Sequence, residues 1–246
     1  MAISIDTVYQ TILNVANKEQ RGYVTPQEFN LYANQAQMDI FEQYFYDINQ
    51  FSRAPGSDNE YSDMLSILEE KLLPFKKFNQ PMASIANTNE LTLPANVYRL
   101  GAVFKTNNPD SYKIEVSKVQ EPELQRLFRT SLLKPTDANP VYVRTTTAAG
   151  LGVLKMHPSA TIPAYSITNV TCDFITKPTS VNWNYTEING VAMYNSSTSV
   201  DFSLHASEEA DLVFKILQLV GISIEAMDLY QVASQEEIKD IQQEKQ

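Results

Sequence analysis

Residues 90–105 read Glu-Leu-Thr-Leu-Pro-Ala-Asn-Val-Tyr-Arg-Leu-Gly-Ala-Val-Phe-Lys, and here the period of the apolar residues changes from helical to alternating. Leu91 and Leu93 alternate with polar neighbours, Pro94-Ala95-Asn96 supplies a turn, and residues 97–105 form a short, apolar, strand-like run. What precedes it is helical. Ile5, Val8, Tyr9, Ile12, Leu13 and Ala16 keep the three-and-four spacing of one helix face, predicting a helix over about 4–18. Thr25-Pro26-Gln27-Glu28 is the strongest local signal in the chain: Thr25 can cap, Pro26 suits the first helical position, and Glu28 can reach back in a capping box. The helix it opens carries Phe29, Tyr32, Ala33, Ala36, Ile40, Phe41, Tyr44, Phe45 and Ile48 and runs to about Phe51. Tyr61, Met64, Leu65, Leu68 and Leu72 make a third helix, stopped by Pro74.

Downstream of the switch the chain stays in β-structure. Asn107-Asn108-Pro109-Asp110 is a turn, and residues 112–116 read as the partner strand of a hairpin. Leu124, Leu127, Phe128 and Leu132 predict a short helix over 121–133, and residues 141–144, 152–156 and 170–175 are further strands. Helix returns at Ser207, with Leu212, Val213, Ile216, Leu217 and Val220 on one face until Gly221 interrupts it. A last segment begins near Ser223, and beyond Ala233 only Ile238 and Ile241 are apolar, too few to build a core. The expected class is therefore α+β: N- and C-terminal helices forming a bundle around a central β-rich insertion, a small sheet or sandwich. The expected boundaries are 1–80, 81–203 and 204–246.

Composition narrows the function classes. With 246 residues and 43% apolar side chains the chain buries a core. Seven glycines argue against glycine-built phosphate loops, and 18 Asn with 16 Gln give a polar, uncharged surface suited to contact between neighbours. The single cysteine, Cys172, cannot close an intrachain disulfide, and residues 1–10 have neither the basic head nor the apolar core of a signal segment, so synthesis in a cytoplasm is expected. No apolar run approaches the length of a membrane span, and no membrane partner is expected.

The net charge of −10 is unevenly spread: residues 1–96 hold 6 basic and 12 acidic side chains, 97–180 hold 10 and 6, and 201–246 hold 3 and 10. Such a chain does not hold DNA by its phosphates. Its acidic ends fit either plain solubility or a surface along which DNA passes without sticking.

Constellations for chemistry are thin. Of the two histidines, His157 ends a strand before Pro158 and His205 precedes the last helices, and both read as loop or capping residues. Cys172, flanked by the alternating Val170 and Phe174, reads as a small buried residue. Asp58, Asn59, Glu60 and Asp63 lack the central glycine and spacing of a calcium loop. Neither a catalytic set, a metal nor a cofactor is expected. Trp183, Tyr185 and Tyr194 could form an exposed sugar platform, which defines an alternative reading as a receptor-binding, glycan-binding module. A second alternative is a hydrolase using two of the 29 carboxylates, none of which spacing selects.

The stretch Leu93-Pro94-Ala95-Asn96-Val97-Tyr98-Arg99-Leu100 resembles the Leu-Pro turn and Arg-Leu strand opening of head-to-tail adaptor proteins of short-tailed bacteriophages. Arg21-Gly22-Tyr23-Val24-Thr25-Pro26-Gln27-Glu28-Phe29-Asn30 with the aromatic helix after it resembles structural proteins of crAss-like phages. So do Pro140-Val141-Tyr142, Asp228-Leu229-Tyr230-Gln231 and Gln242-Gln243-Glu244-Lys245. The resemblance implies a non-enzymatic virion neck protein: a ring matching the portal's twelvefold symmetry, its terminal helices gripping the portal protein, its β-part facing downstream neck and tail proteins, DNA passing through the centre. On that implication the portal interface comprises Tyr230, Ser234, Ile238, Ile241, Gln242, Gln243 and Lys245. The stretch 145–195 is expected to be an elaboration that contacts other neck or tail proteins.

Overall fold

The structure is a computed structural model that describes residues 3–17, 24–51, 64–85, 88–94, 96–106, 112–147, 150, 152–158, 169–188, 191–223, 231–236 and 238–239. In chain order the first elements are α1 (Ile5–Asn17), α2 (Pro26–Phe51), α3 (Met64–Leu72), β1 (Lys76–Pro81), β2 (Ala83–Ser84), β3 (Glu90–Thr92), β4 (Val97–Thr106), β5 (Lys113–Glu115) and β6 (Ser117–Lys118). They are followed by α4 (Glu121–Arg129), β7 (Val141–Thr146), β8 (Gly152–His157), β9 (Val170–Thr176), β10 (Tyr185–Ile188), β11 (Val191–Tyr194) and α5 (Glu209–Ser223). The class is α+β, as the change of period at residue 90 requires. Two compact units form, one from Met1–Pro74 with Pro178–Gln246, the other from Phe75–Lys177, so a β-rich unit is inserted in the sequence of a helical one.

The insertion boundaries differ from the expected 81–203. Lys76-Lys77-Phe78-Asn79-Gln80-Pro81 does not alternate, yet it is strand β1, because a bulge between Lys77 and Gln80 breaks the period. Asn79 takes φ 53° there and its N–H bonds the Asp173 carboxylate at 2.8 Å, a conformation asparagine adopts more readily than most residues. At the other end, residues 178–203 join the helical unit, because Val181, Trp183 and Phe202 are buried in it.

In the helical unit, α5 packs on α1 and α2, and α3 packs on α2. The core is the face read from periodicity: Ile5, Val8, Ile12, Phe29, Phe41, Leu72, Leu212, Ile216 and Val220, all essentially inaccessible. Ala33 and Ala36, also fully buried, let the α2 backbone approach its neighbours closely. The capping box forms as expected: Thr25 N–H and Oγ1 both donate to Glu28 Oε2 at 3.0 and 2.7 Å, and Glu28 N–H donates to Thr25 Oγ1 at 3.3 Å. Those bonds to the charged form hold the Glu28 carboxyl below its usual range. Gly221 does not interrupt α5; it is buried within the helix, which continues to Ser223.

The inserted unit is a two-sheet sandwich. One sheet has the order β1-β9-β4-β5, with all pairs antiparallel, and the other β2-β3-β8-β7-β6, where only β6 and β7 are parallel. The chain passes between sheets at two buried corners. Met82 separates β1 from β2 and donates its N–H to Val170 O at 3.0 Å, while Val116 separates β5 from β6 and donates to Val103 O at 2.8 Å. Both corner side chains enter a shared core with Leu91, Val103, Tyr142, Leu154, Met156, Val170, Cys172 and Phe174. Strand β7 is buried on both faces, since Tyr142 points into this core while Val141 and Val143 pack with Val119 and Leu124 of α4. The unit's entrance and exit are opposite rungs of one ladder, Lys76 pairing with Ile175. The stretch 145–195 is thus no appendage: β8 and β9 are inner strands of the two sheets.

Helix α4 is shorter than the expected 121–133. It ends at Arg129, where Thr130 turns extended (φ −106°, ψ 115°), leaving Leu132 91% exposed.

Candidate interaction surfaces

Three amide side chains one and two turns apart on α2 replace a neighbouring strand. Asn30 accepts the Trp183 N–H at 2.7 Å and donates to Trp183 O at 3.2 Å. One turn on, Asn34 accepts the Val181 N–H and donates to Val181 O, both at 2.9 Å. Gln37, itself 1% exposed, donates to Thr179 O at 2.9 Å and accepts the Ser203 N–H at 3.2 Å. An extended segment bridged to Val200 through Asn182 on one side thereby satisfies the backbone groups of its other side against a helix. Asn and Gln, expected at contacts between neighbours, here hold the chain to itself.

That ladder places Trp183, and it overturns the sugar platform as an exposed three-ring surface. Trp183 is 2% exposed; its Nε1–H donates to Asp6 Oδ1 at 3.0 Å and its ring lies 4.4 Å from Tyr9. Tyr185 and Tyr194, opposite one another on the β10–β11 hairpin, stack on it at 5.8 Å. The rings form a wall of the helical core, from which Tyr185 alone among these reaches 36% exposure.

The remaining chemistry-bearing residues are structural. His205 accepts the Ser207 N–H through Nδ1 at 3.3 Å and so caps a 3-10 turn over Ala206–Glu208, the role expected of it. In that turn the buried Glu208 carboxylate meets Lys71 Nζ of α3 at 2.8 Å. His157 is not a loop residue but 93% buried on the outer face of β8, edge-on to Phe128 at 5.4 Å, with no hydrogen bond to either ring nitrogen. Burial holds its pKa below the ordinary value, Lys155 adds to the effect, and Glu121 opposes it. Cys172 is buried in the sandwich core and its thiol is pushed up to about 11, chiefly by burial, as suits a packing residue. Residues 58–63 lie outside the described residues, and among the described residues no group of three metal-ligating side chains converges.

Of the expected portal interface, Ser234 and Ile238 are described. Ser234 lies in a helical segment, 231–236, and donates to Gln231 O at 3.0 Å. Ile238 is 54% exposed, and the last buried residue before it is Ala233 at 3%. Tyr230, Ile241, Gln242, Gln243 and Lys245 lie outside the described residues. Among the described residues no helix is long and apolar enough to cross a membrane.

Charge divides between the units more sharply than any cut made on the sequence. The helical unit holds 7 basic and 22 acidic side chains, formally −15, and the inserted unit 12 and 7, formally +5.

One surface gave no signal in the sequence. A cleft of about 430 Å³ opens on the inserted unit between residues 100–103 of β4, the corner at 115–118, and Tyr142 and Arg144 of β7. It exists because two strands outrun their partners. β5 pairs only with residues 104–106 of β4, and β6 pairs only with residues 141 and 142 of β7. Gly101 sits at a bulge where one extra β4 residue faces β9, and a Cβ there would lie 3.0 Å from Asp173 O, so any larger residue would push that backbone back by a few tenths of an ångström. Desolvation raises the Tyr142 pKa despite the nearby Arg144.

No protein-family model and no curated protein matches this chain.

Proposed function

We propose that the chain is a structural virion protein, a head-to-tail adaptor of a short-tailed, crAss-like phage that forms a ring between portal and tail and surrounds the DNA exit channel. The observation that carries this reading is the division of charge. A unit built from both chain ends carries −15, and a surface of that sign repels a phosphate backbone, so DNA slides past it. The +5 unit offers the opposite sign to an acidic neighbour, as a head-to-tail ring with two different surfaces per subunit requires. The exposed Ile238 beyond the buried Ala233 supports a C-terminal segment offered to the portal. The partners are the portal, downstream neck and tail proteins, and further copies of the chain, and its place is the virion neck. Quantitative mass spectrometry of purified virions tests this: the expected result is as many copies of the chain as of the portal subunit. Absence from the particle, or a several-fold excess over portal, overturns it.

A further inference from the structure

The cleft on the inserted unit is bounded by backbone that lacks a neighbour among the described residues. Val119 N–H donates to Tyr142 O at 3.0 Å, so the polar backbone groups of Tyr142 face β6. Backbone direction alternates along a strand, and those of Arg144 and Thr146 therefore point the same way, away from β8. The next rung, an Arg144 N–H bond to Val119 O, is not made, because the chain turns at Gln120 into α4. Across the cleft, the edge of β4 at residues 100–102 has no strand beside it on the side away from β9 among the described residues. Unpaired edges are ready templates for another strand.

We propose that this cleft is a β-augmentation site, in which an extended segment of a partner polypeptide pairs with residues 144–146 of β7, placing an acidic side chain beside Arg144 and Lys118. Three strand residues span about 10 Å, the length of the open β7 edge. The charge preference follows from the lining. Lys118 and Arg144 outnumber Glu115, neither cation has an ion-pair partner among the described residues, and the unit as a whole is +5. The side chain opposite Arg144 shares its sheet face, which is also the face of Tyr142 and of Lys118 opposite it, so a single acidic residue meets both cations. A small-molecule site is a poorer fit, since the charged groups stand exposed at the rim and only main chain is offered in a row. The inference does not depend on the adaptor reading.

The test is amide-resolved NMR on the full chain titrated with the peptide acetyl-Thr-Val-Thr-Asp-Thr-Val-Thr-amide, up to about 1 mM, which detects a Kd near 1 mM. The expected result is saturable shifts at residues 100–103 and 143–146, with at least tenfold weaker binding by the twin carrying Lys for Asp. A twin N-methylated at Asp and at the Thr after it should also bind at least tenfold less, because one of those two N–H groups faces Arg144 O whichever way the added strand runs. Arg144→Glu and Lys118→Glu, both at exposed positions, should reverse the preference between the Asp and Lys peptides. No shifts, shifts confined to the helical unit, or equal binding of the N-methylated twin overturns strand addition. Equal shifts from free acetate overturn it too, and assign the cleft to a small anion.

Discussion

Replacing Asn34 with alanine removes the middle rung of the amide ladder and leaves two backbone groups of Val181 facing a void. In the intact protein the Val181 N–H and C=O each bond the Asn34 side chain at 2.9 Å, and the same amide donates to Asn30 O at 2.7 Å. Each part-buried bond contributes about 0.5–1.5 kcal/mol, and stranding a buried partner costs more than never having paired it, so the loss is about 2–4 kcal/mol. For a chain of this size that lowers Tm by about 5–12 °C. The assay is urea unfolding followed by fluorescence of Trp183, the only tryptophan, which is buried in the helical unit and reports that unit's unfolding. Asn34→Asp is the informative control. Its carboxylate can still accept the Val181 N–H, but it turns an acceptor toward Val181 O where a donor stood, so it should lose at least as much as alanine. A loss below about 0.5 kcal/mol for alanine, or an aspartate variant as stable as the native chain, would refute the claim that side-chain amides stand in for a strand here.

Three further outcomes are expected. Lys71→Met strands the buried Glu208 carboxylate and should cost about 3–5 kcal/mol in the same urea assay, with part of the loss recovered on adding Glu208→Gln. His157 is held below its ordinary pKa when folded, whereas in the unfolded chain it takes up its proton near 6.5. The unfolded state therefore binds more protons as pH falls below about 6.5, and stability falls with it, while above that pH the residue contributes no slope. Protection factors of the β8 amides, which divide out the pH dependence of the chemical exchange step, should fall between about pH 7 and 5 in the native chain and lose that dependence in His157→Gln, and an unchanged slope in the variant assigns the effect elsewhere. Ending the chain after Ala233 should leave the urea midpoint within about 0.5 kcal/mol of native, because the described residues beyond it bury little, while abolishing co-sedimentation with the portal. Unchanged portal binding by the folded truncation removes the docking role of that segment.

What could be read ahead was whatever local chemistry decides by itself. Thr25 through Glu28 opened α2 at Pro26, since a capping box needs only four residues, and β4, β7, β8 and β9 were legible because each carries its own apolar run. The misreadings share a cause, which is that the deciding partner is remote in sequence. β1 is a strand because β9 lies beside it, Trp183 is buried because α2 holds its backbone, and His157 is covered because α4 folds back over β8. Leu132 fitted the periodicity of α4, but the helix had already ended at Thr130. The cleft was illegible for a related reason: it is made of pairings that stop early, and where a ladder ends is a property of two strands at once.

The pairing of Lys76 with Ile175 bears on how such a chain can change over time. Opposed residues in an antiparallel ladder have their Cα atoms about 5 Å apart, so the whole sandwich leaves and rejoins the helical chain across a gap that a tight turn could bridge. To its host the insertion is geometrically a loop, whatever it contains. A lineage can therefore exchange, enlarge or discard the sandwich as a cassette while α3 and the segment after Pro178 keep their positions, and the two units are free to diverge at different rates.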